Sequence, residues 1–388
     1  MKAQGTAANS ERFPFAVARL AALMEKARVD LILASSRHNI RYLTGGYYYP
    51  LYIWDGHTKR TQHLSFLGIP RDSVEDSFFI GRPGEKEIMK EADVWVEPCF
   101  EARMIGSLAT VERAVAVLKE RHLDSGRVAV ELSTLPADAF DALRREVPKV
   151  EFVDAADVLD PLRAVKSAKE IELMRDGTEK LLEAVGHALG NGRDGETTLE
   201  TADQVKVQCG VRGLHFLYAL VCAGPSYFRA PSRKRTWNAG RPLHIDSGAL
   251  MDGYVVEVCR MGCLGRPTTL VDDLFHACRE LETAVIAEMK PGVEAKTLHA
   301  RAREFLSKSR FGDYGKFIAH GIGMVHHEDP VISPESTQLL EAGMVVSVEM
   351  EFRQPEAGHI KIEDMVVVTK GGGDVISPGA DSWIISPA

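Results

Sequence analysis

Apolar and polar positions alternate with helical spacing over Phe15–Met24, which predicts an amphipathic helix, and Val29–Ala34 after it reads as a short buried strand. The same alternation of element types continues. A helix over 107–121, a strand over Arg127–Glu131, a helix over 137–146 and a short strand over Val150–Val153 predict an α/β domain built on its own sheet. Asp160-Pro161 predicts a stop, because the residue before a proline is pushed out of the helical region. The next helix is announced by Ser167-Ala168-Lys169-Glu170, a capping-box pattern ahead of Ile171, Leu173 and Met174. The pattern therefore predicts an α/β domain over residues 1–160 and a second domain over 161–388.

The second half has a different texture. Helical patterns over roughly 271–289 and 295–309 are interleaved with strand patterns at 242–248, 254–260, 344–352 and 359–369, which pair as two hairpins. This predicts a mixed α+β domain, and the repeated order of helices followed by a hairpin hints at an internal duplication.

Composition narrows the picture. A chain of 388 residues that is 45% hydrophobic can bury a large core and suits two domains. A net charge of -8, with Lys and Arg scattered, argues against a nucleic-acid partner. The six cysteines include no CxxC and no zinc-ligand spacing, which fits a reduced cytoplasm. The first residues, MKAQGTAANSERFPF, lack the apolar core of a signal peptide, and no later run approaches the roughly 18 apolar residues of a membrane span. A cytoplasmic protein is expected.

Candidate chemistry lies in the second half, where Asp246, Glu257, His320, Glu349 and Glu363 mostly interrupt strand patterns. Folding about the Asp252-Gly253 turn signal puts Asp246 and Glu257 on the same sheet face. As an isolated pair they read equally well as a strand-end cap and a solvent-facing charge. Glu349 and Glu363 interrupt strands that otherwise read as core, and each alone is satisfied by pairing with Lys361 or Arg353. Together, four carboxylates and an imidazole need compensation, which two divalent cations would supply. His320 is followed by two glycines that let the backbone approach a neighbour. His327 lies seven residues on, free to hydrogen-bond a substrate carbonyl, and His326 reads as a surface residue.

With these residues in place, HGIG…HEDP, GMVVSVE and KIEDMVVVT resemble, in combination, the pita-bread metallopeptidase family M24, and His38-Asn39-Ile40-Arg41-Tyr42-Leu43-Thr44-Gly45 resembles its creatinase and prolidase branch. The resemblance covers nearly the whole chain. It implies a creatinase-type α/β N-terminal domain, a pita-bread C-terminal domain and a homodimer. It further implies Asp246, Glu257, His320, Glu349 and Glu363 as ligands of two divalent ions (Mn, Co, Fe or Zn), with Glu349 carrying the proton and His327 facing the substrate. The implied activity is metal-dependent hydrolysis of a C–N bond in a dipeptide or N-acyl amino acid. The alternative is a non-peptidase member, either a creatinase-like amidinohydrolase or a metal-dependent lyase acting on a small zwitterion.

The sequence departs from the family pattern at two positions. The second ligand is ordinarily aspartate, so Glu257 adds a methylene, and Arg229 stands where peptidase members carry a further substrate histidine. An arginine there suits a bidentate contact to an anionic substrate group, or equally serves to neutralise a ligand carboxylate or to sit on a loop surface. Lys361, where many members hold an arginine, is a candidate for binding substrate or orienting carboxylates. The aromatic stretch Tyr47–Trp54 suits either core or dimer surface, with capping of a neighbouring active site as a further role.

Overall fold

The first amphipathic run folds as α1 (Val17–Ala27), which buries Leu20 and Met24 and leads into β1 (Leu31–Ala34), a strand buried at every residue. Helix α2 (Arg37–Thr44) follows, capped by the Ser36 side chain, which accepts from the Asn39 N–H. The computed structural model describes residues 12–49 and 62–387, and the chain divides into two compact units between Leu162 and Arg163.

The N-terminal unit is a six-stranded mixed sheet. Strands β2 (Phe66–Pro70), β3 (Phe78–Gly81), β4 (Cys99–Glu101), β5 (Gly126–Val130) and β6 (Val150–Asp154) join β1 in the order β4-β3-β2-β1-β5-β6. β2, β3 and β4 lie outside the strand pattern read above, since they are short and, for β2 and β3, buried almost throughout, so they carry no period-two signal. Helices α3 (Glu85–Glu91), α4 (Ser107–Glu120) and α5 (Ala137–Glu146) complete the unit. One expectation fails here: Pro161 lies inside α6 (Ala156–Ala164) instead of ending a segment. Burial of Val158, Leu159 and Leu162 opposes the proline penalty of about 3 kcal/mol, and the Pro161 carbonyl accepts from Arg19 Nε at 3.2 Å and Nη2 at 3.0 Å. Within the aromatic stretch, the Tyr47 hydroxyl donates to Glu85 at 3.0 Å, and the Tyr48 and Tyr49 rings lie under Arg41 and Arg82. Residues 50–54 fall outside the described residues.

The C-terminal unit repeats one layout. Helices α7 (Ala168–Gly190) and α8 (Thr198–Val211) precede strand β7 (His215–Ala223) and the hairpin of β8 (Pro242–Met251) and β9 (Tyr254–Leu264). Helices α9 (Thr269–Ile286) and α10 (Ala295–Lys308) precede β10 (Gly315–Gly321), the short β11 (Glu328–Val331), and the hairpin of β12 (Val345–Gln354) and β13 (Gly358–Thr369). The sheet runs β11-β10-β12-β13-β9-β8-β7, with β14 (Gly372–Val375) on β13 and β15 (Ile384–Ser386) on β9. The expected capping box of Ser167 with Glu170 is formed, and a second, Thr197 with Glu200, opens α8. The β8–β9 turn has φ of 46° at Asp252 and 90° at Gly253, the pair of left-handed residues that a two-residue hairpin needs.

Alternation along these strands separates core from chemistry. Ile245, Val256 and Val258 pack with Met174, Leu181 and Val185 of α7, while Val348, Met350, Ile360 and Ile362 pack with Leu274, Phe275 and Leu281 of α9. Asp246, Glu257, Glu349 and Glu363 take the opposite parity. Among the described residues no helix is long and apolar enough to cross a membrane. All six cysteines are free, five of them buried.

Candidate metal centre and active site

Strand register assembles the site. Asp246 lies opposite Cys259, Cys259 opposite Glu363, and Glu363 opposite Glu349, so one row crosses β8, β9, β13 and β12. Glu257 stands two residues from Cys259 on β9, and His320 of β10 is paired with Ser347, two residues from Glu349. Residues two apart share a face, so all five candidate ligands converge there, each of them buried.

Lys361 joins them. Its side chain is fully buried, and its ammonium donates to Asp246 and, at 2.9 Å, to Glu363, and pairs with Glu349 at 2.5 Å. With three carboxylates around it, the ammonium has no donor left for a substrate. Of the two roles open above, the contacts of Lys361 match the orienting of carboxylates. Burial would lower the Lys361 amine, but Glu363, Asp246 and Glu349 overcome it and hold it well above its ordinary value. Burial raises Glu363 well above the carboxylate range, with Lys361 opposing. For Glu349, burial is outweighed by Lys361 and His320, and the carboxyl is held below its usual range.

At the other end of the cluster Glu257 gathers a different set. The Tyr218 hydroxyl donates to Glu257 Oε2 at 2.9 Å, and His326 Nε2 bonds the same oxygen. Glu257 Oε1 is buried without a hydrogen-bond partner, 3.4 Å from His320 Nε2, which in turn lies 3.5 Å from Glu349 Oε1. Burial would raise Glu257, but the His326 bond and the charge of His320 bring it below its ordinary value. His327 stacks on His320 with ring centroids 3.8 Å apart, and burial, together with His320 and His326, lowers it below the usual imidazole value.

Two residues of this set were not singled out as functional from the sequence. His326 was expected on the surface; its ring is half-exposed, but its Nε2 reaches a fully buried carboxylate. Tyr218 left a trace in Gly248, which lies opposite it in register: a Cβ there would sit 2.5 Å from the Tyr218 ring. Glycine inside a strand marks such a close approach. Arg229 pairs through Nη2 with Asp246 Oδ2, the carboxylate-neutralising option of those open above, and its Nε is buried without a partner. Arg353 pairs with Glu351.

The donor set meets a cation differently at its two ends. An unbonded carboxylate oxygen of Glu257, an imidazole nitrogen of His320 and an oxygen of Glu349 form the mixed O/N set that divalent transition metals accept. These residues suit a divalent ion in their chemistry. Asp246, Glu349 and Glu363 hold oxygens within 4.8 Å of one another, but the Lys361 ammonium already lies among them.

A sheet face of buried carboxylates and histidine, carried by a duplicated helix-and-hairpin layout, defines a metallohydrolase of pita-bread type. The chain belongs to metallopeptidase family M24, whose sequence model matches residues 172–370, and a creatinase/prolidase N-terminal domain model matches residues 17–165. It is 26% identical over 377 residues to a putative dipeptidase, YkvY, of Bacillus subtilis (strain 168), covering 95% of this chain and 99% of that one. It is 30% identical over 266 residues to an Xaa-Pro dipeptidase of Lactobacillus delbrueckii subsp. lactis, covering 66% of this chain and 71% of the relative. Its fold is that of an Xaa-Pro dipeptidase from Bacillus anthracis, with a TM-score of 0.79 and 21% identity, covering 95% of this chain and 98% of that one. A dipeptidase from Pyrococcus horikoshii OT3 superposes with a TM-score of 0.80 at 22% identity, covering 95% and 99%.

Proposed function

We propose that this member of the family hydrolyses the C–N bond of a dipeptide or N-acyl amino acid, as a cytoplasmic homodimer, with Asp246, Glu257, His320, Glu349 and Glu363 as its metal centre. The observation that carries the reading is the unbonded, buried Glu257 Oε1 facing His320 and Glu349. A divalent ion held there, of the Mn, Co, Fe or Zn class, supplies Lewis-acid polarisation and an acidified water. With Lys361 in place the centre takes one ion, at Glu257, His320 and Glu349; Asp246 and Glu363 would join as ligands of the second ion that the resemblance implies once Lys361 leaves them.

The remaining work falls to the chain's own groups. Glu349, an ionised carboxylate at the edge of the cluster, accepts the proton of the attacking water and passes it to the leaving nitrogen. His327, exposed and stacked on His320, donates to the oxyanion. Arg229, tied to Asp246 by one nitrogen, offers the rest of its fork to the substrate carboxylate. The dimer rests on the family resemblance, and the cytoplasmic setting on the resemblance together with the free cysteines.

The test is chelation followed by reloading with each of the four metals, assayed on Xaa-Pro and other dipeptides, N-acyl amino acids and amidines. Turnover of a peptide or acyl substrate should vanish on chelation and return with metal, and Glu349→Ala should lose it by about 10²–10⁴-fold. Full turnover in the chelated protein, or in Glu349→Ala, would refute the reading.

A further inference from the structure

One step along the same sheet face from the carboxylate row lies a second cluster of ligand-bearing side chains. Cys222 of β7 is directly opposite His244 of β8, and His244 is two residues from Asp246. His359 of β13 completes the group, two residues from Lys361. All three are buried, and each offers a ligand atom within 4.8 Å of the others.

The hydrogen bonds around the two rings leave one nitrogen of each open. His244 Nδ1 lies 3.1 Å from the His359 carbonyl, which only an N–H can satisfy, so Nε2 carries the lone pair. His359 Nε2 lies 2.8 Å from Glu351 Oε2, so its Nδ1 carries the lone pair. Both remaining atoms, His244 Nε2 and His359 Nδ1, are buried and have no hydrogen-bond partner. Two such vacancies within one small cluster are costly as an apolar core feature. They are instead what metal-ligating histidines show, with the far nitrogen fixed by a carboxylate or a backbone carbonyl. Cys222 Sγ donates to the Ser226 carbonyl at 3.1 Å, a weak bond that a metal–sulfur bond can replace.

We propose that Cys222, His244 and His359 form a separate binding site for a single zinc-class cation. The ligand set is one thiolate and two imidazoles, with Glu351 orienting His359 and the fourth position open. A tetrahedral ion needs donor atoms about 3.3–3.7 Å apart, so the three side chains draw together on binding. On binding, the thiol proton leaves to solvent and the Cys222 sulfur bonds the metal. The donors lie on β7, β8 and β13, so the ion ties together the strands that carry Asp246 and Lys361. It is chemically distinct from the oxygen-rich centre, since thiolate and imidazole select zinc over manganese.

The experiment reads sulfur coordination, not turnover. Holoenzyme loaded with zinc should show by X-ray absorption a sulfur shell at about 2.3 Å. Cobalt-loaded protein should show a thiolate-to-metal charge-transfer band in the near ultraviolet. The band should be lost in Cys222→Ser and in His359→Gln. It should persist in Cys259→Ser, which removes the thiol nearest the carboxylate row, and in Glu363→Gln, which disables that row. A zinc-loaded holoenzyme without a sulfur shell, a band that survives Cys222→Ser, or a band abolished by Cys259→Ser would overturn the proposal. The absorption measurement needs no variant to fold.

Discussion

The Lys361 ammonium lies 2.9 Å from the carboxylate of Glu363, its neighbour two positions along β13, and the pair is enclosed by Asp246 and Glu349. A cation supplied by the chain cannot be exchanged or chelated. It lowers the charge that a metal must neutralise, and it does so from inside the carboxylate row.

Lys361→Met removes that charge while keeping much of the buried stem. Manganese avoids thiolate–imidazole sites, so it reports on the oxygen-rich centre. The wild type should retain one manganese per chain after gel filtration and the variant two, by elemental analysis. Two ions in the wild type would show that Lys361 yields its place.

Tyr218→Phe deletes the donor to Glu257 Oε2 and leaves His326 as the remaining partner of that oxygen. Groups that orient a metal ligand typically contribute about 10–100-fold in affinity. Competition with a chelator should show a loss of that size, with the fold unchanged by circular dichroism. Equal affinity would remove Tyr218 from the centre.

Glu328, in the HEDP motif, is a structural group. It accepts from Lys166 Nζ at 2.7 Å and Arg163 Nε at 3.2 Å, and all three side chains are buried. Glu328→Ala should cost about 3–5 kcal/mol, the usual loss when one member of a buried ion pair is removed. Denaturant unfolding measures it. Gly323→Ala should be harmful for the same reason, since its Cβ would fall 2.2 Å from Glu328 Oε1.

Glu85 offers a pH test away from the metal centre. Burial raises its carboxyl above the ordinary 4.5, against bonds from the Arg82 N–H, Tyr47 and Ser65. An acid whose folded pKa is raised keeps its proton when the unfolded chain has lost it. Stability should therefore fall as pH rises from about 4.5 towards the folded value, and Glu85→Gln should flatten that slope. Unfolding midpoints across that range decide it; parallel profiles would contradict the assignment.

The sequence carried the parity of the ligands well, because period two along β8, β9, β12 and β13 sets which side chains share a face. Its α/β opening and the Ser167–Glu170 capping box were equally readable. What it could not carry was lateral neighbourhood. His326 looks like a surface residue until β7 brings Tyr218 beside Glu257, and the sequence pairs Lys361 with Glu349 or Glu363 but does not show that Asp246 joins them from β8. The open nitrogens of His244 and His359 depend on bonds from a carbonyl and a carboxylate, neither of which a linear pattern displays. Pro161 misled for a related reason: a local rule was overruled by side-chain burial along α6 and by Arg19, far away in the chain.

On β13, His359, Lys361 and Glu363 alternate with Ile360, Ile362 and Asp364, so ligands and core share a single reading frame. Loss or gain of one residue in that stretch would turn the isoleucines towards the metal and drive the charged groups into the α9 core. Substitution in steps of two can therefore retune the chemistry without touching the core, whereas an insertion or deletion would destroy both at once.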